Sequence, residues 1–76
     1  MSRLPAVSGR RVIRALERAG FVLARVKGSH HVMEHPHDPV RTATVPVHAG
    51  KTLRKGTLNS IIKQAGLTVD ELLALL

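Results

Sequence analysis

The sequence predicts a small α+β fold, in which a three-stranded antiparallel sheet packs on helices. Three observations predict it. An apolar stripe with helical spacing fills the first quarter of the chain, three short strand-like runs separated by turns follow, and two capped apolar segments end it. The predicted order is α-β-β-β-α-α. We expect residues 1–76 to form a single domain, because 76 residues leave room for only one small core.

The first helix is predicted over residues 9–19. Ser8 suits the N-cap position, and Val12 and Leu16 lie on one face at helical spacing. Gly20 stands where a left-handed residue commonly follows a helix. Arginines occupy several positions on the other faces of the helix, so we expect an amphipathic helix with a basic outer face.

Three strands are predicted next, at Phe21–Val26, His30–His35 and Arg41–Val47. The residues between them, 27–29 and 36–39, are rich in glycine and proline and predict turns. Such short connections favour an antiparallel meander.

Two helices are predicted to complete the chain. After a loop at 48–56, Thr57 is expected to cap a helix that ends at Gly66. Thr68 and Glu71 have the spacing of a capping box, which predicts a last short helix to the end of the chain.

Composition excludes several classes of protein. The chain has 0 cysteines, so disulfides, cysteine-ligated metals and thiol nucleophiles are excluded. We expect no cofactor in so thin a core, and no membrane association, because no apolar run approaches the ~18 residues of a span. The first residues lack the apolar core of a signal peptide, which favours a cytoplasmic protein.

Positive charge is concentrated in two blocks. The chain holds 12 Lys+Arg against 5 Asp+Glu, a formal net charge of +7. Residues 1–27, which include Arg3, carry +6, and residues 41–63 carry +5. Between them, residues 28–40 hold four of the five histidines. A nucleic-acid phosphate backbone fits this distribution, and a merely solubilising charge excess is the alternative.

The histidines favour a function in RNA cleavage. Alternation along a strand places His30 and His31 on opposite faces. If the second and third strands pair antiparallel, His48 comes close to one of them, with Lys27 nearby. RNA cleavage needs a base for the 2′-OH proton and an acid for the leaving oxygen, and histidine can serve as either. Any of these histidines is also a common surface or packing residue.

A metal site is the competing interpretation of the same segment. Four histidines and one acid fall within eight positions: His30, His31, Glu34, His35 and His37. Only His31 and His35 share a strand face with matching spacing, and a proline interrupts the geometry before His37. We therefore predict no metal ligands.

A second cationic group lies before the predicted second helix. Lys51, Arg54 and Lys55 precede a helix N-terminus, which itself favours anions, so we expect phosphate contacts there. Phe21 is the only aromatic residue, which excludes a base-stacking sheet surface.

Over residues 7–72 the sequence resembles the HicA toxin family, also called YcfA-type mRNA interferases. The resemblance is carried by the order and spacing of several short stretches, which are Arg18-Ala19-Gly20-Phe21, Lys27-Gly28-Ser29-His30-His31, Val45-Pro46-Val47-His48-Ala49-Gly50, Leu53-Arg54-Lys55-Gly56-Thr57 and residues 61–68.

The resemblance implies a fold, an activity and a partner. The fold is a double-stranded-RNA-binding-domain-like α-β-β-β-α, here with a short extra C-terminal helix. The activity is metal-independent endoribonucleolytic cleavage of mRNA, which arrests translation. The partner is a HicB-type antitoxin, with the toxin alone a monomer and the complex of higher order.

The resemblance also implies site residues. The family's essential histidine lies in the Gly-Ser-His stretch, and the commoner form of the motif favours His30 over His31. His48 matches a Pro-x-His and becomes a candidate accessory group. Many relatives carry an aromatic residue where this chain has Met33. The residues expected to bind RNA are Lys27, Gly28, Ser29, Lys51, Arg54 and Lys55.

Two other functions are compatible with the residues alone. One is a non-catalytic RNA-binding module of the same fold, which shares the basic surface. The other is a metal-binding or structural protein.

Overall fold

The computed structural model describes residues 4–76, so Arg3 of the first basic block lies outside the described residues. The order is α-β-β-β-α-α, as predicted. The elements are α1 (Gly9–Arg18), β1 (Val22–Lys27), β2 (His30–His35), β3 (Asp38–Pro46), α2 (Lys55–Ala65) and α3 (Val69–Leu75). No helix within residues 4–76 is long and apolar enough to cross a membrane.

Helix α1 has the predicted N-cap, and it ends one residue earlier than predicted. The Ser8 hydroxyl accepts a hydrogen bond from the backbone N–H of Arg11, and the C-cap is Ala19. Gly20 follows with φ of +98°, a left-handed conformation that glycine adopts without strain. The helix buries Val12 and Leu16 in the core, and it turns its arginines to solvent.

The sheet is antiparallel in the order β1-β2-β3. Turns of two residues join the strands, at Gly28–Ser29 and at Pro36–His37. The expected start of β3 at Arg41 is wrong, because the strand begins at Asp38. Asp38 pairs with His35 whereas Thr42 pairs with the preceding Glu34, so the register shifts there. Pro39 lies within this irregularity, where no ladder hydrogen bond from its nitrogen is required.

The second helix begins earlier than predicted. Its N-cap is Arg54, which makes no side-chain capping hydrogen bond, and the expected cap Thr57 lies inside the first turn. Gly66 ends the helix with φ of +70°, as predicted. The capping box of α3 is also confirmed, with Thr68 and Glu71 each bonding the other's backbone N–H.

The core lies between the helices and one face of the sheet. Its fully buried large side chains are Val12, Leu16, Met33, Val45, Leu58, Ile61 and Leu72. Helix α2 packs along β3 and covers its outer edge, where Gln64 Oε1 accepts from the Thr44 N–H at 3.0 Å. Every residue of β1 is exposed, because the helices cover only β2 and β3.

The start of α1 is held close to the end of β3. A side chain at Gly9 would collide with the carbonyl oxygen of Pro46, and Ser8 forms an isolated bridge with Thr52. Pro46 is the cross-strand partner of His30. The absence of a side chain at residue 9 therefore allows the helix to pack against the end of the sheet that carries the candidate histidines.

Candidate active site and nucleic-acid interface

The two histidines of β2 lie on opposite faces of the sheet. His31 pairs with Val26 and Val45, and it shares the helix-covered face with the buried Met33. His30 pairs with Lys27 on one side and Pro46 on the other, on the open face. The predicted alternation is thus present, and only one of the two rings can face a given substrate.

His31 has a defined ring contact. The residue is half-buried, and its Nδ1 lies 3.4 Å from the carbonyl oxygen of Ser29. The same carbonyl accepts the Val47 N–H at 2.7 Å, which ties it to the end of β3. A carbonyl facing Nδ1 favours the tautomer with the proton on Nδ1, which leaves the Nε2 lone pair free. This is the arrangement a general base requires.

His30 is exposed, and its ring makes no hydrogen bond to residues 4–76. Its nearest charged cross-strand neighbour is Lys27, which is also exposed. The turn that follows Lys27 is open, since a Cβ at Gly28 would meet nothing within 4 Å. The turn therefore leaves space for a ligand close to both strand histidines.

A basic cavity of about 420 Å³ lies beyond the end of β3. The residues that line it are Pro46, His48, Lys51, Thr52, Leu53, Arg54 and Thr57. The first turn of α2 forms part of its wall, and its free backbone N–H groups add positive potential to the two cations. The cavity can hold a phosphate group, and it contains no acidic residue.

The structure groups the predicted site residues in two sets. Lys27, Gly28 and Ser29 lie with the strand histidines, whereas His48, Lys51 and Arg54 line the cavity. Both sets are at the end of the sheet where β2 begins and β3 ends. Lys55 is exposed as the first residue of α2, and it does not line the cavity.

The family of the chain follows from its match to a family model. Residues 9–67 match the family model HicA_toxin, described as the HicA toxin of bacterial toxin–antitoxin systems. The chain belongs to the HicA toxin family. Among curated proteins, none matches it.

Membership in the HicA family confirms the resemblance and gives the chain a general role. It is the toxin member of a toxin–antitoxin pair, so its partner is an antitoxin. The matched range contains α1, the whole sheet and α2, and with them both strand histidines and the basic cavity.

The remaining histidines of this HicA-family chain lie at the opposite end of β2. The rings of His35 and Phe21 meet edge to face, with centroids 5.2 Å apart. The Nδ1 of His35 accepts the His37 backbone N–H at 3.3 Å. No group of three or more metal-ligating side chains is found in the described part of the chain. These histidines therefore have packing and turn contacts, separate from the site.

Sequence reasoning missed two features of the site. Thr57 was expected to cap a helix, but it lines the basic cavity together with Thr52. The Ser29 carbonyl that faces the His31 ring belongs to the backbone, so the type of residue at position 29 does not predict the contact. Only the spacing of Ser29, two residues before His31 across a tight turn, pointed to it.

Proposed function

We propose that this HicA-family toxin is a metal-independent endoribonuclease that cleaves mRNA and thereby inhibits translation. The observation that carries the proposal is the His31 ring, with its Nδ1 facing the Ser29 carbonyl at 3.4 Å. It lies at the same end of the sheet as a cavity that carries Lys51 and Arg54. A histidine that acts as base, at the same end of the sheet as cations that stabilise charge on a phosphate, supplies two of the groups that 2′-OH-dependent cleavage needs.

The proposed reaction uses the 2′-hydroxyl of the RNA as nucleophile. The free Nε2 of the histidine takes the 2′-OH proton, and the 2′-oxygen forms a bond to phosphorus. The bond from phosphorus to the 5′-oxygen breaks, and that oxygen takes a proton from a general acid. The products are a 2′,3′-cyclic phosphate and a 5′-hydroxyl, and water then opens the cyclic phosphate. DNA is not cleaved in this way, because it lacks the 2′-OH.

We assign the base to His31 and keep His30 as its alternative. The motif favours His30, which is more exposed and lies beside Lys27. The contact with Ser29 favours His31, because an oriented ring loses less freedom in the transition state. Since the two rings lie on opposite faces, replacing each one separately distinguishes between them.

The other site residues bind RNA in this proposal. Lys51 and Arg54 contact phosphates in the cavity, where His48 is a second proton-transfer group or a further phosphate contact. Lys27, Gly28 and Ser29 form the open turn that admits the RNA backbone. Lys55, exposed at the first residue of α2, adds charge outside the cavity.

The partner in this proposal is a HicB-type antitoxin that covers the end of the sheet carrying the two histidines. The toxin alone is a monomer that acts on mRNA in the cytoplasm, and the complex with the antitoxin is of higher order. Covering this end blocks both the histidine and the cavity, so one contact surface is enough for neutralisation.

Induced expression in growing cells tests the proposal. Wild type is expected to arrest growth and degrade mRNA, and co-expression of the antitoxin is expected to restore growth. His31→Ala is expected to be harmless, while His37→Ala, in an exposed turn, is the matched control and is expected to remain toxic. Arrest that persists in both His31→Ala and His30→Ala contradicts the histidine mechanism. Soluble wild type without arrest or RNA decay favours a non-catalytic RNA-binding module.

A further inference from the structure

A row of arginines on α1 lies outside the site described above. Arg11, Arg14 and Arg18 are all exposed, and their i, i+3, i+7 spacing places them along one side of the helix. Together with Leu76 they line a shallow cleft of about 110 Å³.

Within the part of the chain that the structure describes, these arginines form no ion pair with an acidic side chain. Within residues 4–76 the one ion pair is Arg25–Glu34, on the open face of the sheet, and Glu17 of α1 pairs with none of the three. Arg18 donates from Nη1 to the carbonyl oxygen of Leu75 at 2.6 Å, which anchors its guanidinium between α1 and the end of α3. The other two guanidinium groups are free to bind an anion.

We propose that this arginine row (Arg11, Arg14 and Arg18) is a second RNA-backbone contact, which binds phosphates of the substrate outside the cleaved segment. The inference rests on the proposed function and deepens it. The row begins one turn after Ser8, which bridges to Thr52 of the basic cavity. It then runs for about 10 Å along α1 at 1.5 Å per residue. The row thus begins within about one turn of a residue that bridges to the lining of the cavity, and an RNA longer than the cavity can reach it.

The chemistry of the row favours a nucleic-acid backbone over a protein. Arginine also occurs in protein interfaces, but their centre is apolar and rich in aromatic residues, whereas this cleft is lined by three guanidinium groups with Leu76 as the one apolar residue among them. Arginine is suited to phosphate because its planar fork of donors can bind two oxygens. None of the exposed large apolar side chains within residues 4–76 lines the cleft; they are Val22, Leu23 and Val26 on β1, Val40 on β3 and Leu73 on α3.

RNA length provides the test, because a short substrate fills the site without reaching the row. The probes are two RNAs of about four and about sixteen nucleotides, spanning common site sizes of small domains. Both carry 2′-O-methyl groups, which prevent cleavage. The variant is Arg11→Gln/Arg14→Gln, which retains the structural Arg18. The matched control is Arg10→Gln/Lys63→Gln, which removes the same charge from other exposed positions. Thermal unfolding confirms that both variants are folded.

The double variant at the row is expected to bind the long RNA about tenfold more weakly. The slope of the logarithm of the binding constant against the logarithm of the salt concentration (the salt slope) is expected to fall by about 1.4 in magnitude, since each single-strand phosphate contact contributes ~0.7. Binding of the short RNA is expected to be unchanged. Equal binding of the long RNA by this variant and its control overturns the inference, while cleavage of unmodified RNA still supports the proposed function. Normal RNA binding with loss of antitoxin binding also overturns it and assigns the row to the partner protein. A wild type that neither binds nor cleaves RNA overturns both.

Discussion

The carbonyl oxygen of Ser29 faces Nδ1 of His31 at 3.4 Å across the turn that begins β2. The contact joins a residue of the turn to a residue of the strand, and the carbonyl is itself fixed by the Val47 N–H at 2.7 Å. The ring of His31 and the backbone N–H of Val47 therefore meet the same carbonyl oxygen at the end of the sheet. An oriented ring with a free Nε2 is the structural basis for assigning the base to His31.

Gly9 is expected to be a sensitive position. Gly9→Ala places a Cβ against the Pro46 carbonyl oxygen, so helix or strand must shift. We expect a loss of about 2 kcal/mol in the free energy of unfolding, in the range for overpacked sites, measured by urea denaturation. Gly56→Ala is the matched control, because a Cβ there meets nothing within 4 Å. The control is expected to gain a few tenths of a kcal/mol to about 1 kcal/mol from helix propensity. Similar unfolding curves for the two variants would contradict the close approach of α1 to β3.

Met33 is expected to stabilise the core under the histidine strand. Its side chain is fully buried, and Met33→Ala removes its packing without adding a polar group. The free energy of unfolding is expected to fall by about 2–5 kcal/mol. Val40→Ala is the control, since Val40 is 89% exposed and its loss is expected to cost under about 0.5 kcal/mol. If Met33→Ala is as stable as Val40→Ala, the helix-covered face has been assigned incorrectly.

The two cations of the basic cavity are expected to determine RNA affinity. Lys51→Gln/Arg54→Gln removes both from the cavity wall. The Michaelis constant for a short RNA is expected to rise about tenfold, and the salt slope of binding is expected to fall by about 1.4. Arg10→Gln/Lys63→Gln, which removes the same charge from outside the cavity, is expected to leave both quantities near wild type. A short-RNA Michaelis constant that is unchanged in the cavity variant excludes the cavity as the substrate site.

Much of the fold was predictable because its signals are local. The bounds of β2, the Ser8 cap of α1 and the capping box of α3 each depend on a few neighbouring residues. The start of β3 was not predictable, because a register shift accommodates Pro39. The start of α2 was missed because Arg54 caps the helix without a side-chain hydrogen bond.

The site was predictable to the level of residue type and strand face. Alternation placed His30 and His31 on opposite faces, and the structure confirms this. The grouping of His48 with Lys51 and Arg54 in one cavity depends on how a loop folds back on the first turn of α2. Tertiary placement of this kind has no local signal, whereas the contact of His31 with the Ser29 carbonyl joins residues only two positions apart.

Cleavage of RNA by the purified protein in excess EDTA is the most direct test of the central claim. Wild type is expected to cleave RNA and leave 2′,3′-cyclic phosphate ends. His30→Ala is expected to retain cleavage. His31→Ala is expected to reduce the rate of cleavage at least about a hundredfold, as for loss of a general base. Matching thermal unfolding curves would show that both variants are folded. Loss of cleavage in His30→Ala with full activity in His31→Ala would contradict the assignment of the base. Full activity in both variants would contradict a strand histidine as the catalytic group.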